Sequence, residues 1–179
     1  MNASINTPTT AASPDAKAVD AADRMELMVA RRDRLRKAQG LFDEVVQLYR
    51  NQPPTTDIDK LYLRLAYFYR ADASFDLGNY EQAIELYNAA AIRYEDDPSS
   101  LAAHVQIVNA YVSLGRLDEA RTANERARWM LRRMPGDAFA DSGVLPRQYW
   151  EQYLGWAGKA GLWRDDASAP ERTSTADVR

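Results

Sequence analysis

Cysteine is missing from this chain altogether. That one absence removes disulfide scaffolds, thiolate metal sites, cysteine nucleophiles and lipidation at an N-terminal cysteine. Histidine is almost as scarce. His104 is the only one, so zinc sites built from clustered imidazoles are excluded and a single imidazole is left for acid or base chemistry. Long apolar runs are lacking as well: no window approaches the roughly 18 uninterrupted apolar residues of a membrane-spanning helix. The start, MNASINTPTTAASPDAKAVD, has neither the basic opening nor the continuous apolar segment of a secretory signal. Residues 1–19 are therefore expected to form a disordered leader, and the cytoplasm is the default compartment. Charge of one sign is not in excess either. A net charge of -3 creates no global field that would gather nucleic acid. The polar residues 161–179 are expected to be a loose tail.

What remains is a chain of 179 residues, 46% hydrophobic and 27% charged, which is enough for one domain with a core. No period-two stretch bounded by turn residues suggests a strand, so the class is all-α. A first helix is expected from about Asp20 to Arg50, stopped by Asn51-Gln52-Pro53-Pro54. Its Met28, Leu35, Phe42 and Tyr49 recur every 7 residues, with Ala38 and Val45 between them, as one buried stripe. A second helix begins near Asp57 or Asp59, either able to cap it, and runs to the turn at Gly78-Asn79. A third covers Tyr80 to about Tyr94. A fourth, with Ser99 or Ser100 as caps, runs from about Leu101 to Leu114, and a fifth from Leu117 to about Met134. The last starts near Pro146. Connections this short force antiparallel neighbours.

One pattern is written twice. LGNYEQAIELYNAA (residues 77–90) and LGRLDEARTANERA (residues 114–127) align with Leu, Gly and two Ala positions each 37 residues apart. Alanine at Ala83 and Ala120 lets two helix backbones approach closely, and glycine at Gly78 and Gly115 tolerates the φ that a turn requires.

These residues resemble the tetratricopeptide repeat. Ala71, Leu77, Gly78, Tyr80, Ala83, Tyr87 and Ala90 match its pattern in the first unit, and Tyr111, Leu114, Gly115, Leu117, Ala120 and Ala127 in the second. The match covers about residues 60–134, as degenerate units 60–97 and 98–134. It departs from the pattern in its spacing of 37, and in Arg70, Arg121 and Asn124, which stand where the family has apolar or aromatic residues. The phrases FYRADASFDLGNYEQAIELYNAAAIRYEDDPSS and RTANERARWMLRRMP resemble the C-terminal end of long bacterial repeat proteins, some of them associated with the cell envelope. On that likeness the chain is a terminal module, and the envelope is the alternative compartment.

The resemblance implies antiparallel helix pairs stacked as a short solenoid over residues 20–160, with flanking capping helices, because two repeats are fewer than the three that usually bury a continuous core. The helix at 146–159 carries Tyr149, Trp150, Tyr153, Leu154 and Trp156, an apolar area suited to capping or to docking a partner. The implied function is a non-catalytic scaffold for a protein or peptide partner, with no cofactor or metal. Its groove positions fall on Phe68, Tyr69, Asp72 and Phe75 in the first unit and on Val105, Gln106 and Asn109 in the second. The packing positions are Gly78, Ala83, Tyr87, Ala90, Gly115, Ala120 and Ala127. No Lys or Arg occupies the groove positions, so the basic clamp some members use for a C-terminal carboxylate is absent. Homo-oligomers would form through the N-terminal helix or the C-terminal aromatic helix.

The remaining residues with chemistry read as structural. His104 lies in LAAHVQIVNA, with no carboxylate or second base beside it, and reads as a helix-packing residue. Glu95, Asp96 and Asp97 lack the alternating spacing of a calcium loop and read as a solvated connector. The basic stretches RRDRLRK (Arg31 to Lys37) and RARWMLRR (Arg126 to Arg133) raise nucleic-acid binding as the alternative function. Asp33, Glu44 and Glu125 on the same helices weigh against it.

Overall fold

The computed structural model describes residues 14–140 and 145–159. Six α-helices follow one another: α1 (Pro14–Asn51), α2 (Asp57–Asp76), α3 (Tyr80–Arg93), α4 (Ser99–Ser113), α5 (Leu117–Arg133) and α6 (Arg147–Lys159), with a 3-10 turn at Gly136–Phe139. Among the described residues there is no strand. Each helix packs chiefly on its neighbours in the chain, the arrangement of a helical solenoid. The helix α1 begins at Pro14, so the leader expected over residues 1–19 is too long by six residues. Its first 13 residues, and the tail expected at 161–179, lie outside the described residues.

The doubled LG pattern makes the same turn twice. After α2, Gly78 takes φ +82° while its N–H bonds Phe75 O at 2.9 Å, and Asn79 N–H bonds Ser74 O at 3.0 Å. After α4, Gly115 takes φ +71°, with Gly115 N–H on Val112 O at 3.0 Å and Arg116 N–H on Tyr111 O at 2.9 Å. These paired bonds satisfy the last carbonyls of each helix, and the left-handed residue between them costs an L side chain about 1–2 kcal/mol.

The central core is built on small residues. Ala71, Ala83, Ala110 and Ala120 are fully buried, with Tyr87 and Ile107 beside them. Close backbone approach at these alanines leaves no room for a longer side chain. Ala83→Leu and Ala120→Leu are each expected to cost about 1–3 kcal/mol through overpacking. Urea midpoints unchanged from the parent in both variants would overturn that packing.

A second core joins α4, α5 and α6 through Leu101, Ala127, Leu131, Met134, Trp150 and Leu154. Arg147 at the start of α6 donates to Leu131 O at 2.8 Å and to Met134 O, closing the end of α5. Asn124, which departs from the repeat pattern, is buried and donates to Leu154 O at 3.3 Å, tying α5 to α6.

The third core joins α1 to α2 through Val46, Leu63 and Ala66, flanked by Phe42, Val45, Tyr49 and Tyr67. Arg70, another departure, lies 4.7 Å over the Tyr67 ring and pairs with Asp43 at 3.3 Å. The stripe expected along the whole first helix is covered only in part. Leu35, Phe42 and Tyr49 are partly buried, but Met28 is 64% exposed. Length explains this: α2 has 20 residues and α1 has 38, and at 1.5 Å per residue α2 covers only the second half of α1. The last residue of α2, Asp76, pairs with Arg31 at 3.2 Å where the coverage ends.

Two helix starts differ from expectation. Thr56, rather than Asp57 or Asp59, caps α2, and Asp59 completes the capping box by accepting the Thr56 N–H at 3.2 Å. The reciprocal pair satisfies two orphan donors, where an aspartate cap would satisfy one. These bonds from Thr56, and one from Tyr49, hold the Asp59 carboxyl below its ordinary pKa. At α4 neither Ser99 nor Ser100 is the cap. Asp97 accepts the Ser99 N–H at 2.9 Å and also pairs with Arg64 of α2. Asp97 is therefore a brace between α2 and α4, whereas Glu95 and Asp96 are exposed.

Candidate partner-binding groove

The residues expected in the groove lie on α2 and α4, and three of them are held by hydrogen bonds in two pairs, one of which involves a tyrosine of α3. Asp72 on α2 accepts a hydrogen bond from the hydroxyl of Tyr87 on α3. Gln106 on α4 lowers the pKa of that hydroxyl, against the effect of burial, and Asn109 donates to Gln106 Oε1 at 2.8 Å. Two hydrogen-bonded pairs, Asn109 with Gln106 and Tyr87 with Asp72, therefore make a polar row across three helices. Tyr87 is only 1% exposed, so the link lies beneath the surface that Asp72, Gln106 and Asn109 present.

The electrostatics follow from that burial. Burial pushes the Asp72 carboxyl above its ordinary pKa, and nearby Asp76 acts in the same direction, while the Tyr87 hydroxyl opposes both. Burial also raises the Tyr87 hydroxyl well above 10, with the Asp72 carboxylate adding to it. The phenol stays protonated and keeps donating. The second carboxylate oxygen of Asp72, and the amide oxygen and one N–H of Asn109, have no hydrogen-bond partner among the described residues.

The aromatic members are arranged differently from expectation. Phe68 is partly buried against the central core, with its ring 5.9 Å from Tyr94. Phe75 packs edge-on against Tyr80 at 5.2 Å, beside the turn. Both spend much of their surface inside the fold and border the polar row instead of standing free in it. Tyr69 is displaced to the α1 side, its ring 5.6 Å from Phe42. Val105 is partly buried against the second core. The cause in each case is a neighbouring helix whose lateral position a single helix's periodicity does not contain.

The packing positions are buried in the core or at its turns: Ala83, Ala90, Ala120 and Ala127 are fully buried, and Gly78 and Gly115 form the two turns. The basic stretches are partly neutralised. Arg31 pairs with Asp76, Arg36 with Asp33 at 3.3 Å, and Arg128 with Glu125 at 2.9 Å, while Arg133 lies 4.6 Å over the Trp129 ring. Exposed pairs of this kind are worth little individually, but they lower the charge available to a phosphate backbone. Among the described residues no helix is long and apolar enough to cross a membrane.

Two family profiles, both described as tetratricopeptide repeat, match the chain, one at residues 29–98 and the other at residues 74–128. Together they span residues 29–128, more than half of the chain. Neither a curated protein sequence nor a solved structure matches it.

Proposed function

Because the chain belongs to the tetratricopeptide repeat family, we propose that it is a non-catalytic scaffold that holds a protein partner by an extended segment laid along α2 and α4. The observation that carries this reading is the polar row formed by the pairs Tyr87–Asp72 and Asn109–Gln106. In this reading those bonds hold Asp72 against Tyr87, and Gln106 against Asn109, before any ligand arrives. Polar groups that need no reordering lose less entropy on binding, and an extended peptide offers backbone N–H and C=O groups at regular intervals to meet them. In this reading α1 and α6 close the two ends of the stack.

The test uses peptides selected from a random library against the parent chain. Asp72→Asn keeps an acceptor for Tyr87 while removing the charge; combined with Asn109→Ala it should weaken the selected peptides at least tenfold, since central contacts in a desolvated groove carry most of the energy. Changing Arg31, Arg32 and Arg34 to Gln should leave affinity within a few fold, as rim charges usually do. If the arginine variant loses the peptides and the groove variant keeps them, binding runs through α1 and the proposal fails. Far-UV circular dichroism confirms that each variant is folded.

A further inference from the structure

The opposite side of α4 carries a feature that the groove does not use. Between α3 and α5 a cavity of about 200 Å³ opens over α4, with Ile107 and Ala123 in its apolar wall. Pockets for drug-sized ligands run to roughly 300–1,000 Å³, so this one suits a group the size of a single residue. His104, 3% exposed, lines it and makes no hydrogen bond among the described residues. Asn88 and Arg126 line it too, and neither has a hydrogen-bond or ion-pair partner among the described residues. The one acid in the wall, Glu119, is already held by Arg116 at 2.8 Å. The charge left over is therefore the single positive guanidinium of Arg126.

An apolar hole with an uncompensated cation, an unused amide and an unused imidazole at its wall has a definite complement. We propose that this cavity binds a small branched aliphatic carboxylate, its hydrocarbon against Ile107 and Ala123 and its carboxylate on Arg126. Arginine meets a carboxylate with two parallel N–H bonds, stronger than neutral ones, and Asn88 supplies a further donor. The chain-terminal leucine or valine of a polypeptide has this chemistry, and so does a free short-chain acid.

His104 is the only imidazole in the chain, so its ring resonances report on the cavity without assignment. The full chain at pH 7 is titrated with N-acetyl-leucine, which mimics a peptide terminus, with 4-methylpentanoate, a free acid, and with N-acetyl-leucinamide, which lacks the carboxylate. At least one acid should shift the His104 signals saturably, and the acid that binds more tightly identifies the source. The amide should bind at least tenfold more weakly than N-acetyl-leucine. Arg126→Gln, an exposed change that leaves the core intact, should weaken the acids at least tenfold. Equal binding of acid and amide, an acid affinity indifferent to Arg126→Gln, or no saturable shift up to the solubility of the acids would each overturn the proposal.

Discussion

Trp150→Ala is expected to destabilise the fold by about 3–5 kcal/mol, the range for removing a large buried aromatic. Trp150 is 6% exposed and stands at the centre of the core that α6 shares with α4 and α5, against Leu101, Leu131 and Leu154. Removing the indole opens a void between helices that already meet over few residues, so α6 should detach and leave Leu101 and Leu131 facing water. Part of the cost is offset, because the indole Nε1 is buried with no partner and its burial is itself unfavourable. Trp150→Phe should therefore cost distinctly less than Trp150→Ala. Urea unfolding followed by circular dichroism measures both, and a loss under about 1 kcal/mol for the alanine variant would mean that α6 is not part of the cooperative core.

Acid should act through His104. Its folded-state pKa falls from 6.5 to about 4, chiefly because burial disfavours the imidazolium and secondarily because Arg126 is near. A depressed pKa contributes stability that is fully present above the unfolded value, near 6.5, and is lost as pH falls from there toward 4. At about 1.4 kcal/mol per pH unit the loss reaches at most about 3.5 kcal/mol. Carboxylates begin to titrate at the lower end, so the slope between pH 6.5 and 5 is the diagnostic one. In His104→Gln that slope should largely disappear, and an unchanged slope would assign the pH dependence to other groups.

The helices and turns were legible in the chain because their signals are local. Gly78 and Gly115 mark left-handed turns whatever surrounds them, and the alanines at matched positions announce close contact. The errors concern partners. Asp57 and Asp59 looked like caps because aspartate favours that position, yet Thr56 with Asp59 at the third helical position forms the better reciprocal pair. Met28 continues the period of Leu35 and Phe42, but α2 is too short to reach it. In the groove, the family resemblance places Asp72 on α2 and Gln106 and Asn109 on α4. It could not reveal that Tyr87 holds Asp72 from a different helix, nor that Tyr69 is taken up by Phe42 of α1. Arg70 and Asn124 looked like decay of the repeat; each in fact secures a terminal helix that the repeat pattern does not describe.

That helices here meet chiefly those next to them along the chain governs how the molecule forms and comes apart. Contacts between near neighbours close short loops, which takes little entropy, so assembly should be rapid, on the microsecond to millisecond scale of local topologies. The same linearity means that opening proceeds from the ends. A helix in the middle is clamped from both sides, whereas α1 and α6 each have one main neighbour to leave. The hydroxyl of Tyr87, midway along the stack, is then among the last points to be exposed, so the surface it organises should outlast partial unravelling at either end.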